Sequence, residues 1–302
     1  MGILKYYSIV VEKDDDNNKI LISDLGIRFS PNDLKNKIVL MDVGYFIHNA
    51  VQAFNNPLKD SNGNITAHIN TIFNKILKFK KMKINQIWVF DPTPDKVTPL
   101  KIKELSKRRT VAENATTEKS SFRIKEQHII DIKELLKYMG ITYLQSPDYV
   151  EAEQYASFLC KNNVADYMLT TDVDVLAFGG NLLREVKQKN TIYYVAYNYN
   201  DILRKTNLTP EQHTIMCVSM GCDFAPKVKK VGVVGVMKKI KSNSIALDVE
   251  QQAAYDYFME DITQKNKKEL LVENTYDKDK LLTFLKKYEF NIERIENRLI
   301  NF

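Results

Sequence analysis

Residues 166–180 read DYMLTTDVDVLAFGG, an apolar run through Tyr167, Met168 and Leu169 that gives way to Asp172 and Asp174. The run has the character of a buried strand, and strand periodicity sends two residues spaced by two to the same side. Like charges about 4 Å apart cost roughly 4 kcal/mol at an effective dielectric of about 20. Such a pair is tolerable when something positive stands between them.

Strand and helix patterns alternate around this stretch. Ile38–Met41 (IVLM) is an apolar run ending at Asp42, and QIWVFD is a second, ending at Asp91. Between them, Ile69, Ile72, Phe73, Ile76 and Leu77 have helical spacing. Ile129–Met139 predicts a helix with Ile129, Ile132, Leu135 and Leu136 on one face and Gly140 as its cap. ITYL follows, then a helix expected over Tyr149–Lys161, with Ser146 capping and Pro147 in the first turn. After the 167–169 strand come the strand TIYYVAY (191–197) and a helix begun by Thr209-Pro210 and running through Met220. This alternation predicts an α/β fold, a mainly parallel central sheet flanked by helices. Such a sheet places its ligand site at the carboxyl ends of the strands, where Asp42, Asp91, Asp172 and Asp174 fall.

A single aspartate after an apolar strand is usually a cap or turn residue. Four of them at three strand ends form a pattern. SPDYVEAEQYA adds Glu151 and Glu153, which diverge by roughly 200° if both are helical. One would then bind an ion directly and the other through water or toward a second ion. MGCDFAP adds Asp223. Seven converging carboxylates are an all-oxygen donor set of the kind Mg²⁺ or Mn²⁺ prefers, with protonation relieving part of the charge. Two such ions about 4 Å apart can polarise a phosphodiester, generate hydroxide and stabilise the leaving oxygen. Divalent cations are therefore the expected counter-charge between Asp172 and Asp174.

The chain has 302 residues, 44% hydrophobic and 27% charged, the composition of a soluble globular protein. Its formal net charge is +6, and the distribution says more than the sum. Lys227–Lys241 holds six lysines and no acid, and Lys96–Arg109 holds six basic residues against Glu104 alone. Either run by itself is a solvated face; two beside an acidic set point to a bound polyanion. Apolar stretches such as Val231–Met237 fall far short of the roughly 18 residues that span a bilayer, so no membrane association is expected. No basic-then-apolar leader is evident. Three cysteines without a CxxC pair (Cys160, Cys217, Cys222) point to a reduced, intracellular, non-secreted protein. The four histidines lack zinc-ligand spacing.

Six blocks in order resemble the flap endonuclease/XPG family of structure-specific 5′ nucleases. They are MGI (1–3), VLMDVGYFIH (39–48), WVFDPTP with LKIKELSKRR (88–94 and 100–109), LLKYMGITYLQSPDYVEAEQYASFL (135–159), TTDVDVLAFGG (170–180) and MGCDFAPKVKKVGVVGVMKKI (220–240). The resemblance implies a PIN-like 5′ nuclease fold with a C-terminal helix-hairpin-helix region. The nuclease core would span 1–220, with a short arch at about 92–126. Residues 221–302 would carry the hairpin and the C-terminal helices, packed as one compact unit with the core.

The same resemblance implies that Asp42, Asp91, Glu151, Glu153, Asp172, Asp174 and Asp223 ligate two Mg²⁺ ions, with Mn²⁺ able to substitute. It places Lys101 and Arg108 in the catalytic set with Glu151 and Asp174. Seven residues along a helix return to within about 20° of one face, roughly 10 Å further on, so one cation can meet the scissile phosphate and the other a neighbouring one. DNA contacts would come from Gly2, His48, Lys101, Arg108, Arg109, Lys227, Lys229, Lys230, Gly232, Lys238 and Lys239. His48 stands where the family has a stacking tyrosine. Only Gly232 survives of the family's Gly-Ile-Gly-Pro-Lys hairpin motif; its backbone would face phosphate, and the resemblance implies a K⁺ held by hairpin carbonyls.

The polar segment TVAENATTEKSSF (110–122) is shorter than the family's arch. It is expected to be loose until DNA phosphates meet Lys119, Arg123 and Lys125. EKDDDNN (12–18) is expected as an exposed turn. No sliding-clamp-binding tail is recognisable after Phe302, and a monomer is expected. The leading functional expectation is hydrolysis of DNA at 5′ flaps, ends or junctions in replication, repair or recombination. An RNA-directed or general 5′ exonuclease would share the chemistry. A non-cutting replication scaffold would have no use for all seven acids together with Lys101 and Arg108.

Overall fold

Ile38–Asp42 is buried from Val39 onward and lies in the middle of an eight-stranded sheet. The computed structural model describes residues 3, 5–13, 19–52, 57–113, 122–189, 191–265 and 271–300. Its first half contains β1 (Val10–Lys13), β2 (Lys19–Leu21), β3 (Ile27–Phe29), β4 (Ile38–Asp42), α1 (Val43–Gln52), α2 (Ala67–Lys81), β5 (Asn85–Phe90) and α3 (Pro99–Glu113). Then follow α4 (Glu126–Tyr138), β6 (Tyr143–Gln145), α5 (Ala152–Lys161), β7 (Tyr167–Leu169), α6 (Asp174–Ala177), β8 (Leu182–Gln188) and β9 (Thr191–Tyr197). The remainder comprises α7 (Tyr199–Thr206), α8 (Pro210–Met220), α9 (Val233–Lys241), α10 (Val249–Phe258), β10 (Leu271–Val272), α11 (Lys278–Lys287) and α12 (Ile292–Leu299).

The strand order is β10-β6-β5-β4-β7-β8-β9-β3. Strands β6, β5, β4, β7 and β8 run parallel, and β10, β9 and β3 are antiparallel additions at the edges. The mainly parallel sheet expected from the alternating pattern is present. Its chain order reverses between β4 and β7, because β5 and β6 are added on one side of β4 and β7 and β8 on the other. That switch point is where a crevice opens at the carboxyl ends.

Strand periodicity divides the core. Val39, Met41, Trp88 and Phe90 join one apolar cluster with Ile72 and Phe73 of α2, Leu135 of α4, Leu281 of α11 and Leu299 of α12. Leu40, Val89 and Met168 join the other, with Ala156 of α5, Met216 of α8, Val236 of α9 and Ala254 of α10. Each large side chain so buried contributes about 1.5–3 kcal/mol. The same parity decides the site. Asp42 lies two residues beyond Leu40, and Asp91 two beyond Val89, so both are directed to the α5 side of the sheet.

Two expectations need correction. Helix α5 begins at Ala152, not Tyr149: Glu151 is its extended N-cap, and Tyr149 has φ 63°, which no helix start accommodates. The 200° divergence of Glu151 and Glu153 therefore does not apply. Strand β7 stops at Leu169, and Asp174 is the first residue of α6, so strand periodicity is not what brings Asp172 and Asp174 together. Past residue 220 the chain packs on both faces of the sheet. Helices α9 and α10 cover one face, β10 pairs with β6 at the sheet edge, and α11 and α12 pack on the opposite face. Helix α3 is regular through Glu113; the rest of the expected arch, 114–121, and the tip of the acidic turn, 14–18, lie outside the described residues.

Candidate metal centre and nucleic-acid interface

Asp42, the last residue of β4, accepts the Tyr45 N–H on Oδ1 (2.9 Å) and the Thr170 hydroxyl on Oδ2 (3.2 Å). Asp91 leaves β5 directly after Phe90, and its Oδ1 accepts the N–H of Ala152 at 2.9 Å, at the favourable positive end of α5. The two carboxylates converge above Gly44, where a Cβ would lie 3.4 Å from Asp42 Oδ1 and 3.8 Å from Asp91 Oδ2. Beyond β7, Thr170 also accepts the Asp172 N–H on its hydroxyl (3.2 Å), and Asp172 Oδ1 accepts the Asp174 N–H (3.1 Å). A turn closed by side chains thus places Asp172 beside Asp174 and joins both to Asp42.

Glu151 is buried at the N-cap of α5 and accepts from two remote groups, the Tyr257 hydroxyl of α10 and the Lys101 ammonium of α3. Arg108, two turns further along α3, donates from Nη2 to Asp223 Oδ2 at 2.8 Å. Between the two cations lies Glu104, only 5% exposed. It pairs with the Arg108 Nε and stands 3.7 Å from the Lys101 Nζ.

The cluster is short of positive charge. Burial, then Asp91, pushes Asp42 up to about 7. Burial, then Asp42 and Asp91, raises Glu153 well above the carboxylate range. Burial followed by Asp172 and Asp223 does the same to Asp174, and burial together with Asp223 raises Asp172. Burial works against the charge on Lys101, but Glu151, Glu153 and Asp91 outweigh it and hold the ammonium above its usual value. The Oδ1 of Asp174 is buried without a hydrogen-bond partner among the described residues, an arrangement that costs free energy unless something else satisfies it.

Among the described residues no three acidic, histidine or cysteine side chains are already closed around one point. Lys101, Tyr257 and Arg108 instead hold oxygens at the edge of the cluster. The donor set nonetheless fits hard divalent cations: all oxygen, mutually repelling, with one buried oxygen unsatisfied. Asp42, Asp91, Glu151, Glu153, Asp172, Asp174 and Asp223 are the residues that could hold them.

Three contributors carry little sequence signal. Thr170 and Tyr257 act through partners far away in the chain. Glu104 could have been noticed as the lone acid of a basic run, three residues after Lys101 and four before Arg108.

The basic residues assigned to DNA lie on two surfaces. Arg109 is exposed on α3, and Lys227, Lys229, Lys230, Lys238 and Lys239 are exposed on the hairpin between α8 and α9 and on α9 itself. Gly232 caps α9, and a Cβ there would meet nothing within 4 Å, so its backbone is open. Gly221 turns the chain out of α8 with φ 91°, and a Cβ would fall 2.9 Å from the Lys227 nitrogen. Two carbonyls of this hairpin region, of Ser219 and Ala225, already accept backbone N–H groups. His48 is half-buried with its ring edge-on to Phe122 at 5.8 Å. Gly2 and Lys119 lie outside the described residues.

Residues 19–115 match the XPG N-terminal domain and residues 140–223 the XPG I-region, together more than half of the chain. The chain belongs to the flap endonuclease/XPG family. The two family segments hold all seven carboxylates together with Lys101 and Arg108. The chain is 28% identical over 206 residues to flap endonuclease 1-A of Sorghum bicolor, covering 62% of this chain and 53% of that one. It is 31% identical over 197 residues to flap endonuclease 1 of Leishmania braziliensis, covering 58% and 48%. It thus spans about half the length of the curated relatives it matches. Its fold is similar to that of flap endonuclease-1 from Methanococcus jannaschii, with TM-score 0.74, 21% identity, and coverage of 90% of this chain and 93% of that one. It is similar also to the catalytic core of Rad2 in complex with DNA substrate, with TM-score 0.71, 22% identity and coverage of 92% and 96%.

Proposed function

We propose that the protein is a divalent-metal-dependent, structure-specific 5′ nuclease that hydrolyses DNA phosphodiesters at flaps, ends or junctions. One observation carries this reading. Seven carboxylates at the switch point of the sheet lie near enough to raise one another's proton affinity, and Lys101 and Arg108, paired with Glu151 and Asp223 among them, lie two turns apart on a single helix. Two Mg²⁺ ions, or Mn²⁺ in their place, would activate water and stabilise the leaving oxygen when bound.

The chain's own residues supply the positioning. Thr170 and the Tyr45 amide fix the Asp42 carboxylate, and Tyr257 fixes Glu151. Lys101 and Arg108 can turn from carboxylate to phosphate, because both present donors to anionic oxygen. The hairpin lysines grip the duplex backbone away from the cut. Rad2 and human GEN1, whose folds resemble this one, have been seen with a DNA substrate and with Holliday junction DNA respectively, which favours branched DNA as the substrate class. No helix among the described residues is long and apolar enough to cross a membrane. From its three free cysteines we infer an intracellular setting, and we propose that it acts as a monomer.

The test is cleavage of labelled flap, nick, duplex and RNA substrates with and without Mg²⁺. Branched DNA should be cut in Mg²⁺ or Mn²⁺ and spared in EDTA. Faster cutting of RNA would move the substrate class, and DNA binding without cleavage under any divalent ion would remove the enzyme reading.

A further inference from the structure

Lys101 and Arg108 are each held between two carboxylates. Lys101 lies between Glu151 and Glu104, and Arg108 between Asp223 and Glu104. Glu151 and Asp223 belong to the metal-ligand set. Glu104 does not; it sits on α3 itself, three residues from one cation and four from the other, where helical geometry brings all three together. An exposed ion pair at this spacing is a minor contributor, but Glu104 is buried, and a buried carboxylate is costly unless its charge is used. One of its oxygens meets the Arg108 Nε. The other, Oε2, is 3.7 Å from the Lys101 Nζ and has no hydrogen-bond partner among the described residues.

That open oxygen has a use. A carboxylate that ligates a divalent ion has less to offer a neighbouring ammonium or guanidinium. When Glu151 and Asp223 turn to metal ions, Lys101 and Arg108 lose their outer partners. Glu104 Oε2 is then the acceptor within reach of Lys101, and Oε1 already holds Arg108. The other ion pair from α3 to a neighbouring helix, Lys103 to Glu250 (2.6 Å), joins two side chains about half exposed and adds little.

We propose that Glu104 is a positioning residue that retains Lys101 and Arg108 over the carboxylate cluster once Glu151 and Asp223 are committed to metal. The inference rests on the nuclease reading above and adds a residue to its site.

The full chain carrying Glu104→Gln or Glu104→Asp tests it. Amide hydrogen exchange across α3 is followed without DNA, in EDTA and in Mg²⁺, with Mg²⁺ binding verified by thermal shift. In EDTA, α3 of E104Q should exchange like wild type, because Glu151 and Asp223 still hold the two cations. Added Mg²⁺ should raise its exchange about tenfold while leaving wild type within about twofold, and E104D should restore part of the protection. On flap DNA, E104Q should lose roughly tenfold to a hundredfold in single-turnover rate at saturating protein, with affinity changed by less than about threefold. Exchange in E104Q that is already raised in EDTA, or that ignores Mg²⁺, would overturn the proposal. A wild-type protein that shows no Mg²⁺ thermal shift would instead remove the metal reading beneath it, a failure read without E104Q.

Discussion

The Thr170 hydroxyl donates to Asp42 Oδ2 across 3.2 Å, tying the end of β7 to the end of β4 at the point where the strand order reverses. The bond opposes burial and Asp91, both of which push the Asp42 carboxyl up. Thr170→Val keeps the shape and deletes both the donor to Asp42 and the acceptor of the Asp172 N–H, and both losses act on metal-site carboxylates of the proposed function. A hydrogen bond to a charged group contributes about 1.5–3 kcal/mol, so Mg²⁺ affinity should fall by roughly tenfold or more. Thr170→Ser should stay near wild type. Titration of metal-induced thermal stabilisation reads both.

Asp174 offers a second, opposite effect on stability. Its Oδ1 is buried and unpartnered, and its charge is opposed by Asp172 and Asp223. Asp174→Asn should abolish flap cleavage while DNA affinity is retained. In EDTA the same variant should be more stable than wild type by about 1 kcal/mol or more, since a repelled buried charge has been removed. Urea unfolding in EDTA, beside an assay in Mg²⁺, decides it. Turnover near the wild-type rate would defeat the metal assignment.

Acid should weaken the fold at two of its histidines, against an opposite contribution from the raised carboxylates. His213 is fully buried, shares a 2.7 Å hydrogen bond between its Nε2 and the Tyr6 hydroxyl, and is pushed down to about 3 by burial. His128 is pushed down to about 4 by burial and then by His68, whose ring lies 4.7 Å away. A depressed folded-state pKa means that the unfolded chain binds the proton first. The stability from each neutral ring is full above the unfolded value near 6.5 and is lost as pH falls toward the folded value. Between about 6 and 4 each histidine should add roughly 1.4 kcal/mol per pH unit of destabilisation. The raised carboxylates Asp42, Glu153, Asp172 and Asp174 work in the opposite sense, favouring the fold at low pH; Asp42 loses that contribution as pH rises through about 7. His213→Gln removes one histidine contribution and leaves the carboxylates, so its urea midpoint in EDTA should rise relative to wild type as pH falls from about 6 to 4.

The strand ends were legible because apolar runs ending in aspartate leave few alternatives once helices alternate with them. The geometry beyond each strand end was not. Strand periodicity fails after Leu169, because the Thr170 hydroxyl captures the Asp172 N–H and starts a turn. The start of α5 was misplaced because the local signals at Ser146 and Pro147 fit a helix, whereas the chain turns at Tyr149 in the left-handed region. Tyr257 lies 106 positions from Glu151, so their contact depends on packing of α10 against the α5 side of the sheet and leaves no local pattern. The C-terminal helices were visible as helices; which face they cover follows from β10 pairing with β6 at the sheet edge.

Two classes of lysine should separate under mutation. Lys227, Lys229, Lys230, Lys238 and Lys239 are exposed around the hairpin and on α9, whereas Lys101 is largely buried with its ammonium on Glu151. Exposed lysines that neutralise phosphates release counterions, so each lost contact should lower the log–log salt slope of binding by about 0.9. Removing Lys229 and Lys230 together should weaken DNA binding at moderate salt and spare the single-turnover rate at saturating protein. Lys101→Ala should do the reverse, cutting the single-turnover rate by roughly a hundredfold or more with little change in salt slope, because under the proposed function it removes a donor to the reacting phosphate. Fluorescence anisotropy across a salt series, paired with quenched-flow cleavage, measures both. A Lys101→Ala variant that loses affinity and salt slope in proportion, with its saturated rate intact, would place Lys101 with the backbone-gripping lysines and outside the chemistry.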